Sequence, residues 1–168
     1  MIPKIQKILY PTDLSLNSDY AFRYAINSAK QHDANIIILY VLEGLSDSML
    51  AMLSSDLVGV QRKKTSEEAM AQIKDRLKLF CEKELINDPD CLKRVESIEV
   101  LEGYPAEVIL REAEKLNCDV IVMGSHGKGI ISQTFLGSVT KRVLRRTRKP
   151  VFIIPLPKKE TDIPGHNI

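Results

Sequence analysis

Val120–Met123 is an apolar run that stops at Gly124. A loop with Gly127 and Gly129 follows, then Gly137-Ser138 and a basic amphipathic stretch. Pro150 ends that stretch, and a second apolar run, Val151–Ile154, closes the unit. Strand, glycine loop, helix and strand in this order make a parallel βαβ unit, since parallel strands need a crossover connection. That one unit constrains the whole chain to an α/β design.

The loop lies where such a unit gathers anions. Glycine lets a ligand approach the backbone with no Cβ in the way. A helix starting near Gly137-Ser138 presents unpaired N–H groups and the positive end of its dipole. A phosphate there gains several charge-assisted hydrogen bonds, and Ser138 can add its hydroxyl. A plainer reading makes Gly137-Ser138 an N-cap and the other glycines a turn. Several glycines at the carboxyl end of a strand favour the ligand.

The rest of the chain reads as alternating strands and helices. Ile5–Tyr10 is the first strand, ending at a Pro11-Thr12-Asp13 turn. A helix over Asp19–Gln31 carries Ala21, Tyr24, Ala25 and Ser28 or Ala29 at helical spacing. Asn35–Val41 is nearly all apolar, as in a strand covered on both faces. Glu43–Gln61, including Ser46–Val60, fits either a helix packed on the sheet edge or a methionine-bearing flap. Thr65–Glu84 is a helix with Ala69, Ile73, Leu77 and Phe80 on one stripe. After a break at Asn87–Asp90 come a strand, Arg94–Leu101, and a helix, Ala106–Leu116, with Pro105 in its first turn. The expectation is an open five-stranded parallel sheet, order 3-2-1-4-5, with helices on both faces. Residues 1–156 form its single domain and 157–168 a loose tail. In that order the first and fourth strands meet at the switch point, so Asp13 and the glycine loop converge.

Composition narrows the function. The formal net charge of +2 is too small to imply nucleic-acid binding. The arginines and lysine of 142–149 suit a helix C-terminus and lack interleaved aromatics, so no nucleic-acid role is expected. The three cysteines, Cys81, Cys91 and Cys118, form no CxxC and read as thiols of a reducing compartment. No apolar run is long enough to span a membrane, and no signal-peptide core is visible, so a cytoplasmic protein is expected. Histidines 32, 126 and 166 have no metal-ligand spacing. P-loop, dinucleotide and triad patterns are missing, as is any residue set that would activate water for ATP hydrolysis.

Gly124-x-x-Gly127, nine residues and then Gly137-Ser138 resembles the G-x2-G-x9-G-S/T signature of the universal stress protein family. The surrounding Met123-Gly-Ser-His-Gly and Leu136-Gly-Ser-Val are similar to its ATP-binding branch, and a weaker likeness extends over about Ile5 to Pro155. The resemblance implies a Rossmann-like fold and a site for ATP or another adenine nucleotide, with magnesium or manganese held mostly by phosphates and water. It implies contacts from Pro11, Thr12, Asp13, Val41, Met123, Gly124, Ser125, His126, Gly127, Gly137, Ser138, Val139 and Thr140. Read alone, Asp13 suits a ribose, a cation beside phosphates, or the cap of its own turn. His126 reads as a contact or turn residue, and Lys128 as a phosphate partner or a solvated charge. The resemblance also implies a homodimer through Val151–Ile154, an apolar edge that is otherwise exposed. Thr147-Arg148-Lys149 and Ile130-Ile131 depart from common family text. Nucleotide binding that modulates assembly or a protein partner in a stress response, without efficient turnover, is the expected function. An interaction module with weak or no nucleotide binding and a slow ATP hydrolase are the alternatives.

Overall fold

The computed structural model describes residues 1–44, 56–127 and 136–155, and residues 56–65 by their backbone only. Five strands form one parallel sheet: β1 (Lys7–Thr12), β2 (Asn35–Leu42), β3 (Val95–Glu102), β4 (Val120–Gly124) and β5 (Val151–Ile154). Their order is 3-2-1-4-5, as expected. The helices between them are α1 (Leu16–His32), α2 (Asp56–Glu84), α3 (Pro105–Lys115) and α4 (Ser138–Arg146).

The two-residue period of a strand sends alternate side chains to opposite layers. Ile8, Tyr10, Ile36, Ile38, Val120 and Val122 pack with Ala21, Phe22 and Ala25 of α1 and Leu77 and Cys81 of α2. Leu9, Ile37, Leu39, Ile121 and Met123 face α3 (Ala106, Ile109, Ala113) and α4 (Val143). Both faces of β1, β2 and β4 are therefore dry, which explains their continuous apolar text. The β1–β4 register is set by Asp119, whose Oδ2 accepts from the backbone N–H groups of Gln6 (2.8 Å) and Lys7 (2.9 Å).

Several boundaries differ from the periodicity, each for a local reason. Pro11 and Thr12 belong to β1 rather than to the turn. The last β1–β4 pair in register is Leu9 with Ile121, so Pro11 lies where a strand tolerates a missing N–H. Tyr24 is not in the buried stripe of α1. It is 47% exposed and packs edge-on against Tyr20, while Phe22 and Ile26 take the core positions. The alanines of α1 bring it close to the sheet and leave the bulky tyrosine on the flank. The second helix starts at Asp56, nine residues before Thr65. Of Ser46–Val60, residues 56–60 are thus helical, and the remainder lies outside the described residues, as do Lys128, Ile130, Ile131 and the 157–168 tail. Past Asn87 the chain forms a 3-10 helix, Pro89–Arg94, that buries Cys91.

Two outcomes follow from this packing. Asp119→Ala removes the acceptor of two backbone N–H groups and should cost about 1–3 kcal/mol in urea unfolding. An unchanged midpoint would show that the pin carries no stability. All three cysteines are free and buried, and burial pushes the thiols of Cys81 and Cys118 up to about 12 and about 11. The native protein should therefore resist a thiol reagent at pH 8 and react fully once unfolded. Both pKa values are raised in the fold, so the stability these thiols give is full below their ordinary 9.0 and declines above it.

Candidate functional site

Beyond Leu9–Ile121 no further pair joins β1 to β4, although β1 continues to Thr12 and β4 to Gly124. A crevice of about 720 Å³ opens past these carboxyl ends, the place where open α/β sheets hold ligands. Its size suits a small molecule rather than a polymer.

The turn after β1 forms one wall. Leu14 is forced to φ 59°, and side chains on either side hold it there. Thr12 Oγ1 accepts from Leu14 N–H (3.1 Å), and Asp13 Oδ1 accepts from Ser15 N–H (3.0 Å) and Ser15 Oγ–H (2.6 Å). Ser15 in turn caps α1 by accepting from Ser18 N–H at 3.3 Å. Asp13 thus caps its own turn, while its carboxylate also lines the crevice. Beneath it the buried Tyr10 hydroxyl donates to Ser18 O (2.6 Å), and burial pushes this phenol far above its ordinary pKa.

The glycine segment forms the opposite wall. Ser125 N–H donates to Ile154 O of β5 (2.8 Å), and Ser125 O accepts from Gly137 N–H (2.9 Å). The end of β4, the end of β5 and the start of α4 therefore meet at one residue. Gly137 caps α4 with no side-chain bond. Ser138, Val139 and Thr140 follow as the first helical residues, whose N–H groups have no acceptor within the helix. Thr140 Oγ1 donates back to Gly124 O (3.2 Å), holding helix start and strand end together. A Cβ on Gly127 would run into Asp13 Oδ2, so glycine lets the two walls approach this closely with the carboxylate left in place. Gly137 has an ordinary φ of −59°, and a Cβ there would meet nothing closer than 3.4 Å.

Among the residues singled out from sequence, Pro11, Thr12, Asp13, Val41, Met123, Gly124, His126, Gly127, Gly137, Ser138, Val139 and Thr140 all line the crevice. Ser125 does not. It is 6% exposed, and its hydroxyl is hydrogen-bonded to Nδ1 of His126 at 2.8 Å. Sequence reasoning missed Leu39, Tyr40, Leu42 and Glu43 at the end of β2, Pro105 and Ile109 of α3, and Ser18 and Leu136. A crevice between layers takes its walls from every strand end and helix start around it, and apolar residues there look like any core residue. Leu39, Val41, Ile109, Met123 and Val139 belong to one apolar cluster and make that part of the crevice greasy. Asp13, Thr12, Gly127, Gly137 and Ser138 make the rest polar. Among the described residues no arginine or lysine lines the space, and Asp13 and Glu43 are its ionisable carboxylates. No cluster of three or more metal-ligating side chains occurs among them.

Comparison with known proteins agrees with this architecture. The profile of the universal stress protein family matches residues 4–155. Universal stress protein MJ0531 of Methanocaldococcus jannaschii is 35% identical over 156 residues, covering 92% of this chain and 85% of the relative. Universal stress protein MJ0577 of the same organism is 31% identical over 153 residues, covering 89% and 94%. The solved structure of MJ0577 superposes with a TM-score of 0.75 at 26% identity, covering 94% of this chain and all of that one. A universal stress protein solved in complex with cAMP shares the fold at 21% identity and a TM-score of 0.52, covering 91% and 98%. With the crevice, the glycine frame and the strand order in agreement, this chain belongs to the universal stress protein family.

Proposed function

We propose that the crevice binds an adenine nucleotide, ATP in the first instance, and that occupancy modulates assembly or a protein partner rather than driving turnover. The observation that carries the reading is the N-terminus of α4, which no side chain caps and which opens on the same crevice as the apolar end of β2 and α3. Phosphates suit the helix start, and a flat apolar base suits Val41, Ile109 and Met123. Asp13 and its neighbours fit a divalent cation only as an addition to phosphate oxygens, because no cluster of metal-ligating side chains occurs among the described residues. Asp13 would contribute one carboxylate there or accept from a ribose hydroxyl.

A thermal-shift titration with ATP, ADP, AMP and cyclic AMP, with and without magnesium, tests the site. Ligand at 100 times its dissociation constant adds about 2.7 kcal/mol, on the order of 5–10 °C at this size. Gly127→Val and Gly137→Val should abolish the shift in protein that still unfolds cooperatively, and Asp13→Ala should weaken it less. Unchanged affinity in both valine variants would refute the site, and phosphate release well above roughly one per minute would refute binding without turnover.

The assembly proposed is a homodimer in which β5 pairs with its copy. As the outer strand it presents an unpaired ladder edge. Phe152 is 40% exposed on one face of β5, and Leu144 of α4, on the other face, is 39% exposed. Phe152→Lys should shift the particle from twice 19.0 kDa to the single-chain mass in sedimentation at micromolar concentration. A variant that sediments with wild type would remove β5 from the interface.

A further inference from the structure

One side chain outside the crevice controls the direction in which the glycine loop leaves β4. Asn17, the second residue of α1, is 4% exposed. Its Nδ2 donates to the backbone oxygen of His126 at 2.6 Å, bridging residues 109 apart in sequence. Gly124 makes room for it, since a Cβ there would lie 3.2 Å from Asn17 Nδ2. The amide orientation is fixed by chemistry, because the flipped amide would set Oδ1 against a carbonyl oxygen.

From this geometry we infer that Asn17 is a positioning residue for the phosphate end of the ligand. The inference rests on the nucleotide reading of the crevice. The His126–Gly127 peptide is trans, so its N–H points opposite to its C=O. Pinning the carbonyl to α1 turns the Gly127 N–H away from α1. The neighbour of that nitrogen is Gly137, whose built Cβ lies 3.7 Å from it. Asn17 thus sets the Gly127 N–H on the side of Gly137, the residue from which α4 starts, where an anion would collect it with the helix amides. Without the pin the peptide plane can rotate, because glycine offers little resistance of its own.

A second observation marks the same corner. Asn17 Oδ1 and His126 Nε2 are both buried and meet no hydrogen-bond partner among the described residues. With Nδ1 of His126 on the Ser125 hydroxyl, either neutral tautomer leaves Nε2 as an unmatched donor or acceptor. Buried polar atoms are rarely left so. Among the described residues the side-chain amide makes one hydrogen bond, to the His126 carbonyl, and that bond is what a substitution removes.

The test is a calorimetric titration of the full chain with ATP and, separately, with adenosine. Wild type, Asn17→Ala and Asn17→Leu are compared, the last a good helix former of similar size that lacks the donor. Both variants should bind ATP at least tenfold more weakly while adenosine affinity changes less than twofold. A parallel loss for both ligands would mean that Asn17 merely supports the fold, and an unchanged ATP affinity would mean that it positions nothing. Either result overturns the inference while leaving the nucleotide reading intact. Failure of wild type to bind either ligand overturns both. If Asn17→Ala unfolds, Asn17→Leu decides alone, and an ATP-to-adenosine affinity ratio matching wild type sinks the proposal.

Discussion

The pairing of β1 with β4 is short, and the site depends on that. Two register pairs, Ile8 with Val120 and Leu9 with Ile121, hold the centre of the sheet together. Asp119 secures the beginning of this contact by binding two backbone N–H groups of the segment entering β1. Past it the strands part, because β1 continues beside β2 as far as Thr12 and β4 beside β5 as far as Gly124. The two halves of the sheet leave on opposite sides of the switch point, which creates the crevice. A longer β1–β4 ladder would zip it shut. A shorter one would sacrifice the dry centre that Ile8, Leu9, Val120 and Ile121 provide.

The walls are joined to the rest of the fold by a few backbone bonds. Ser125 is the junction: its N–H reaches the last residue of β5, and its oxygen accepts from the N–H of Gly137, the residue that starts α4. Two backbone hydrogen bonds therefore separate the start of α4 from the edge strand. Asn17 ties the following residue to α1, so the glycine segment is held from both faces of the sheet. That connection is the route by which the proposed nucleotide would act on the proposed dimer edge. The route is made of main-chain bonds and is insensitive to most side-chain substitutions.

Much of this was legible in the residues. The alternation of apolar runs and amphipathic stretches implied the strand order, and β5 falls on Val151–Ile154 as read. The glycine spacing pointed to the crevice, where a Cβ at 127 would press on the Asp13 carboxylate across the gap. What escaped has a common physical origin. Asn17 looks like any polar residue at a helix start, and its partner is a backbone carbonyl that carries no sequence signal. Ile109 and Leu39 read as core, since packing in a core and lining a crevice ask for the same side chains. Tyr24 fitted the helical stripe by spacing but not by volume against a helix seated on alanines. The start of α2 at Asp56 was hidden because periodicity is the signal for a helix, and Gly59 and the polar residues around it interrupt it.

The charge inside the crevice decides how a polyphosphate could be held. A helix N-terminus offers about half a positive charge, and its interaction with an anion is worth up to about 2 kcal/mol in a partly buried setting. A carboxylate 4 Å from a phosphate opposes it by about 4 kcal/mol at the effective dielectric of a protein surface. Asp13 stands directly across from Gly127, and its carboxylate lines the same space. The helix start alone therefore does not outweigh Asp13 if the phosphates lie against both. In the proposed nucleotide complex, either a divalent cation would sit between carboxylate and phosphate, reversing the sign of the contact, or Asp13 would face the uncharged ribose and the phosphates would keep to the α4 side. In the first arrangement binding strengthens steeply with magnesium. In the second it depends little on the metal, and the carboxylate selects for a sugar hydroxyl.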